Sequence, residues 1–137
     1  MHRHRTAADV VLGRGAQCAL IAAYLNDHPD AQEFRKEFAL ESYCLIRDDF
    51  PEDGSEPEDH AIDLFWAKVN WEPSRFDSAI RRRADDRGPT FLLVALETGH
   101  VYAPYDGGAD LFAPDAASRS AYRAALRAWV SPRRDGL

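Results

Sequence analysis

Eight carboxylates within sixteen residues give this sequence its clearest chemical signal. No Lys or Arg interrupts the stretch, whose acidic residues are Asp48, Asp49, Glu52, Asp53, Glu56, Glu58, Asp59 and Asp63. Clustered carboxylates steer the association of basic partners and can occupy a site built for phosphate groups. A solvated loop that only keeps the chain soluble is an open alternative. A metal site is another, although the spacing lacks the Asp-x-Asp-x-Asp-Gly run of an EF-hand.

The net charge of the chain comes from this one segment. The 137 residues include 17 Lys and Arg and 23 Asp and Glu, which gives a net charge of -6. Without the eight carboxylates, 15 acidic residues remain against 17 basic ones. Because bulk nucleic-acid binding depends on clustered Lys and Arg, the acidic balance argues against a nucleic-acid partner. We therefore predict that the segment docks a basic protein.

Trp71 is predicted to join the acidic segment in the docking site. It lies just before Pro73, near the carboxylates in sequence, and an exposed aromatic beside charged residues is typical of a binding hot spot. All three tryptophans can instead be core residues. A third reading is an oligomer subunit in which an exposed tryptophan is a dimer contact.

A second group of polar residues lies in the C-terminal third and consists of His100, Tyr105, Asp106 and Asp110. A histidine near carboxylates can act in acid–base chemistry, so a small enzyme or ligand-binding pocket at the C-terminal hairpins is the alternative function. A structural turn over residues 105–108 explains the same residues, because Asp106 can accept backbone N–H groups and glycines adopt positive φ. The sequence has no serine-hydrolase elbow and no paired histidines, so we predict no catalytic set, no metal and no cofactor.

The expected helices and strands, which must position these candidate residues, indicate a single α+β domain over residues 1–137. In this domain, helices pack on an antiparallel sheet. Residues 1–5 are expected to be a disordered tail before a short helix from Thr6, which Gly13-Arg14-Gly15 ends. Helical spacing of apolar residues predicts helices over 16–26, 30–40 and 72–83, and strands are expected over 41–47 and 62–69.

The C-terminal third predicts a three-stranded meander and a final helix. The strands are expected over 90–96, 101–104 and 109–113, and the first is a nearly continuous apolar run. Pro114-Asp115 then begins a helix whose apolar stripe extends to Val130, and Ser131-Pro132 ends it.

The cysteines and the lack of a membrane-length apolar stretch indicate the cellular compartment of the protein. Cys18 and Cys44 lie in apolar runs and are predicted to be buried, reduced thiols. No stretch approaches the length of a membrane helix, and Asp9 interrupts the only candidate signal sequence. We expect a cytoplasmic protein with no membrane partner, as a monomer or a homodimer.

A resemblance adds to this interpretation. Val101-Tyr102-Ala103-Pro104-Tyr105-Asp106-Gly107-Gly108-Ala109-Asp110, followed by Trp129-Val130-Ser131, resembles a bacterial family of small cytosolic proteins of unknown function. The resemblance covers residues 66–131 and implies no catalytic residues. A likeness of size and charge to immunity proteins leads to the main hypothesis, a non-enzymatic immunity- or antitoxin-like protein that docks a basic partner such as a nuclease toxin.

Overall fold

The computed structural model describes residues 2–25, 29–46 and 62–129, and these form an α+β fold. The helices are α1 (His2–Leu12), α2 (Pro29–Phe38), α3 (Pro73–Ala84) and α4 (Ala116–Ala125). The strands are β1 (Gln17–Leu25), β2 (Glu41–Ile46), β3 (Ile62–Asn70), β4 (Thr90–Ala95), β5 (Val101–Tyr105) and β6 (Gly108–Phe112). Within these ranges, no helix is long and apolar enough to cross a lipid bilayer.

The six strands form one antiparallel sheet in the order β2-β3-β1-β4-β5-β6. The predicted fold class, including the C-terminal meander β4-β5-β6 and the helices at both ends of the chain, is confirmed. The first strand in the sequence lies inside the sheet, where it pairs with β3 on one side and β4 on the other. This central strand therefore joins the N-terminal and C-terminal parts of the sheet.

The helix predicted over residues 16–26 is wrong, because this segment is strand β1. Nearly every residue of Gln17–Leu25 is apolar, so the run satisfies the spacing of a helical face and also that of a strand with two apolar faces. Gly13 and Gly15 adopt φ values of 83° and 74° and turn the chain from α1 into this strand. The turn predicted at these glycines is therefore correct, but a strand follows it.

The N-terminal residues also differ from the prediction, because α1 begins at His2 and not near Thr6. Contacts with distant parts of the chain hold its first turns in place. The Nδ1 atom of His4 lies 2.8 Å from the Tyr102 hydroxyl, and Arg5 forms an ion pair with Asp77. Residues 2–5 are therefore helical rather than a disordered tail.

The other helices begin at residues suited to a helix N-terminus. Pro29 and Pro73 open α2 and α3, where a missing N–H group is harmless. Asp115 caps α4, since its carboxylate accepts a hydrogen bond from the Ser118 N–H group at 2.8 Å. Helix α4 ends at Ala125, before the predicted end at Val130, which lies outside the described residues.

Helices α1, α2 and α3 pack on one face of the sheet, here called the covered face, and α4 packs against α1. Its residues alternate along the strands, and Leu20, Phe91, Leu93 and Tyr102 have at most 2% of their surface exposed. A series of ring contacts connects the helices to this face: Phe34 packs on Phe91 and Phe38, Phe38 on Phe76, and Phe76 on Trp71. The core therefore lies between the helices and the covered face.

Candidate functional site

In the sequence, the acidic segment connects β2, the edge strand of the sheet, to its neighbour β3. Ile46 ends β2, Ile62 begins β3, and these two residues face each other in the antiparallel register. Asp63 lies opposite Tyr24 and is half-buried. The other seven predicted docking residues lie outside the described residues: Asp48, Asp49, Glu52, Asp53, Glu56, Glu58 and Asp59.

Trp71 is a core residue, so the prediction of an exposed aromatic contact is wrong. None of its surface is exposed. Its indole Nε1 donates a hydrogen bond of 2.8 Å to the Asp9 carboxylate, and its ring stacks on Phe76 with 5.3 Å between centroids. The indole N–H group is therefore satisfied inside the fold, and Trp71 offers no surface to a partner.

The alternative pocket at the C-terminal hairpins is not formed. His100 precedes β5, whereas Tyr105 and Asp106 lie at the other end of that strand. Asp110 is exposed and pairs with Ala103, which alternates with the buried Tyr102 and therefore faces away from the helices. These residues do not converge, so the enzyme or ligand-binding alternative lacks the pocket on which it depended.

Two pairs of histidine and tyrosine join the helices to each other and to the sheet. His4 contacts Tyr102 as described above, and the Nδ1 atom of His100 lies 2.5 Å from the Tyr122 hydroxyl. Tyr122 also donates to the Val11 carbonyl oxygen near the end of α1, at 3.4 Å. Burial lowers the pKa of His4 and raises the pKa values of Tyr102 and Tyr122. These shifts favour neutral forms, which suits contacts that fasten α1 and α4 in place.

A cavity of about 410 Å³ opens beside the N-terminus of α3 and has two arginines in its lining, Arg5 and Arg14. The Nε atom of Arg14 lies 2.7 Å from the Asp9 carboxylate, and Arg5 pairs with Asp77. The hydrogen bond from Arg5 lowers the pKa of Asp77 and keeps that carboxylate charged. Because each arginine already has an anionic partner, this cavity does not offer an anion a pair of free cations.

The larger candidate is the side of the sheet opposite the covered face, here called the open face. Its residues alternate with those of the covered face, and no helix in the described ranges packs on it. One cross-strand row contains Trp66, Ile21 and Leu92. A second row crosses all strands but β2 and contains Lys68, Ala19, Val94, Val101 and Phe112.

The open face exposes large apolar side chains. Phe112 is 56% exposed and Trp66 is 39% exposed, and Ile46 at the β2 edge is 49% exposed. An extended apolar patch of this kind is unusual on a free protein surface and typically marks an interaction site. The signal was present in β3, where Leu64 and Trp66 alternate with Phe65 and Ala67, because a strand that is apolar on both faces indicates a second apolar contact.

The two cysteines illustrate the difference between these faces. Cys18 lies on the covered face with no exposed surface, whereas Cys44 is partly exposed and pairs with Leu64 of the open face. Both thiols are free. Burial raises the pKa of the Cys18 thiol to about 11, so this group is protonated and unreactive at neutral pH.

The described residues thus form a helix-backed antiparallel sheet with one apolar face on which none of these four helices packs, and the sequence between β2 and β3 is acidic. The chain belongs to the family described as a domain of unknown function, DUF3885, which matches residues 1–134. The expected membership of a family of unknown function is thus confirmed, and the match extends well beyond residues 66–131. No curated protein and no solved structure shows a significant match.

Proposed function

We propose that this chain is a bacterial, cytoplasmic, non-enzymatic binding protein that docks a basic protein partner, in the manner of an immunity protein or antitoxin. The docking groups are the carboxylates of residues 48–63. A nuclease toxin is the partner class that fits these groups best, because its active cleft is built to attract phosphate and therefore also attracts clustered carboxylates.

The observation that carries the proposal is the attachment of the acidic segment to two paired strand ends. Ile46 and Ile62 face each other across β2 and β3, where paired Cα atoms are about 5 Å apart. Seven carboxylates are encoded between these two residues, and Asp63 follows them directly. The chain thus encodes most of its excess negative charge in the connection between these two strand ends, which favours a positively charged partner.

Acidic residues elsewhere in the chain support the same interpretation because many already have basic partners. Four ion pairs involve the arginines of α1, of α3 and of the turn that follows α3: Arg5 with Asp77, Arg82 with Glu37, Arg83 with Asp86 and Arg87 with Asp85. Residues 48–63 contain no Lys or Arg that could pair locally in this way. The lack of Lys and Arg within the segment supports the proposal that its charge binds a basic partner.

The state of the cysteines is consistent with the proposed compartment. Cys18 and Cys44 are both free thiols, and free cysteines are common in the reducing cytoplasm, whereas small secreted domains more often carry several disulfides.

The experiment compares capture of a partner by the wild-type chain and by a neutralised variant. The variant carries Asp48→Asn, Asp49→Asn, Asp53→Asn, Glu56→Gln and Asp59→Asn. A protein retained by the immobilised wild-type chain and lost from the variant is identified by mass spectrometry and then titrated by calorimetry. We expect a basic protein whose affinity falls at least tenfold between about 50 and 500 mM salt, because the binding is electrostatic.

The matched control neutralises five exposed carboxylates outside the segment that form no ion pair among the described residues, with Glu41→Gln, Glu72→Gln, Glu97→Gln, Asp106→Asn and Asp110→Asn. Both variants change the net charge by the same amount, so only the position of the charge differs. Equal loss of binding in the two variants would show a general charge effect, and unchanged binding in the first variant would exclude the segment as the docking site.

A further inference from the structure

We infer that the open face of the sheet is a homodimer interface, on which a second copy of this chain docks through its own open face. The inference goes beyond the proposed function, because it involves strand residues rather than the acidic segment. It would produce a four-layer assembly in which two sheets pack face to face between two layers of helices.

The residue types on the open face suit a buried interface. Trp66 and Phe112 lie in two adjacent cross-strand rows, and Ile21, Leu92, Val94 and Val101 lie between them. Two charged residues lie beside Trp66: Glu41 opposite it on β2 and Lys68 in the second row. Exposed aromatics surrounded by aliphatic residues are enriched at the centres of protein interfaces. The cross-strand register therefore places a continuous apolar surface over the middle of the sheet.

The area of the open face is close to the minimum area that a stable dimer buries on each subunit. Six strands about 4.8 Å apart and roughly 22 Å long give a face of about 600 Å². A specific interface buries at least about 600 Å² on each partner. The whole open face is therefore just large enough, and we expect the second copy to cover most of it.

The remaining segments of the same chain have poor composition for covering this face. Residues 47–61 contain seven carboxylates, and residues 130–137 contain three charged side chains among eight residues. A continuous apolar face is matched by another apolar face, which a second copy supplies by symmetry because each subunit presents the same patch in a twofold dimer.

The charges on the open face also permit self-association. The charged strand residues on this side are one cation, Lys68, and two anions, Glu41 and Asp110. Two copies can therefore place a lysine opposite a carboxylate, and the local charge is nearly balanced despite the net charge of -6. A strongly basic partner, by contrast, has little charge complementarity with the open face, and residues 48–63 match its charge better.

The test measures the mass of the full chain by sedimentation equilibrium between about 1 and 100 μM. We expect the wild-type chain to approach twice the chain mass of 15.4 kDa. The variant Trp66→Glu is expected to weaken the dimer by about thirtyfold or more, because it places a charge among apolar residues of the interface. Phe112→Glu, on an edge strand and more exposed, gives the same expected result if Trp66→Glu fails to fold.

The matched control is Val10→Glu, which makes the same type of change at a residue of α1 that is 37% exposed, close to the 39% of Trp66. We expect Val10→Glu to leave the dimer constant unchanged. A wild-type chain that stays monomeric at 100 μM would overturn the inference. Equal dimerisation of Trp66→Glu, Phe112→Glu and Val10→Glu would also overturn it, because the contact would then lie elsewhere.

Salt distinguishes the dimer from the binding of a basic partner. Added salt screens the repulsion between two acidic chains, so we expect the apolar dimer to be unchanged or strengthened between about 50 and 500 mM salt. Binding of a basic partner weakens over the same range. A dimer that dissociates as salt is added would contradict the apolar interface while leaving the proposed function untouched.

Discussion

The covered and open faces of the sheet are built from alternating residues of the same strands, yet their side chains differ in exposure. On β4, Leu93 faces the helices with none of its surface exposed, whereas its neighbour Leu92 faces the other way and is partly exposed. The same alternation runs through β1 and β3. The two faces are similar in residue type, but in the described ranges only one has helices packed on it.

This difference shows that apolar composition of a strand does not by itself define a core. The covered face becomes a core because ring contacts from α2 and α3 pack on it, such as Phe34 on Phe91. The open face has the apolar composition of a core, but none of the four described helices packs on it. The residues of the open face belong to the same strands as the core. They can serve an interaction only if the stability of the single chain does not depend on burying them.

The largest test of the comparison uses the neighbouring leucines of β4. We expect Leu93→Ala to lower the free energy of unfolding by about 3 kcal/mol, because it leaves a cavity in a closed core. Leu92→Ala is expected to cost about 1 kcal/mol or less at low protein concentration, since its side chain is partly hydrated. Urea denaturation of both variants measures the difference. Equal losses at low concentration would mean that the open face is already covered within one chain.

A smaller effect is expected from the contact that fastens α4 and α1 over the covered face. Tyr122→Phe removes the hydroxyl that lies 2.5 Å from His100 and should cost about 1 kcal/mol. Tyr105→Phe is the matched control, because among the described residues this hydroxyl has no hydrogen-bond partner and the side chain is half-buried. Thermal denaturation compares the two, and a control variant that loses as much stability would argue against the His100–Tyr122 contact.

The smallest effect concerns pH and His4, on the other helix contact of the covered face. Burial lowers the pKa of His4 from its ordinary 6.5, so the unfolded state binds more protons in the window below pH 6.5. The contribution of neutral His4 to the free energy of unfolding is therefore fully present above about pH 6.5, and it is lost as the pH falls toward the pKa of His4 in the folded state. Denaturation midpoints between pH 8 and 5 should show a shallower slope for His4→Gln than for the exposed control His2→Gln. Identical slopes would exclude His4 as the source.

Much of the fold could be predicted from the sequence because most elements carry local signals. The alternation in β3 and the turns of the C-terminal meander depend on neighbouring residues alone. Strand β1 does not have such a signal, since Gln17–Leu25 is apolar at nearly every position and includes three alanines that favour helices. Only its pairing with β3 and β4 decides the structure, and pairing over such distances cannot be read from a local pattern.

The candidate surfaces were predicted less well, for a similar reason. The burial of Trp71 depends on Asp9, which is 62 residues away in sequence, and on the stacking of Phe76. The separation of His100 from Asp106 depends on the length of β5 and on its register with β6. The acidic segment could be located by counting charges, because charge density needs no knowledge of contacts.

The position of β1 has a consequence for synthesis on the ribosome. This strand emerges early, yet its two partners begin at Ile62 and Thr90. Until β3 has been made, this apolar strand has two unpaired edges, and until β4 has been made it still has one. Chains with unpaired apolar strands attract chaperones or aggregate. The pairing of β1 is complete only after Ala95 has been made, so the interval between the synthesis of β1 and that of β4 is the one in which the nascent chain is most prone to aggregate.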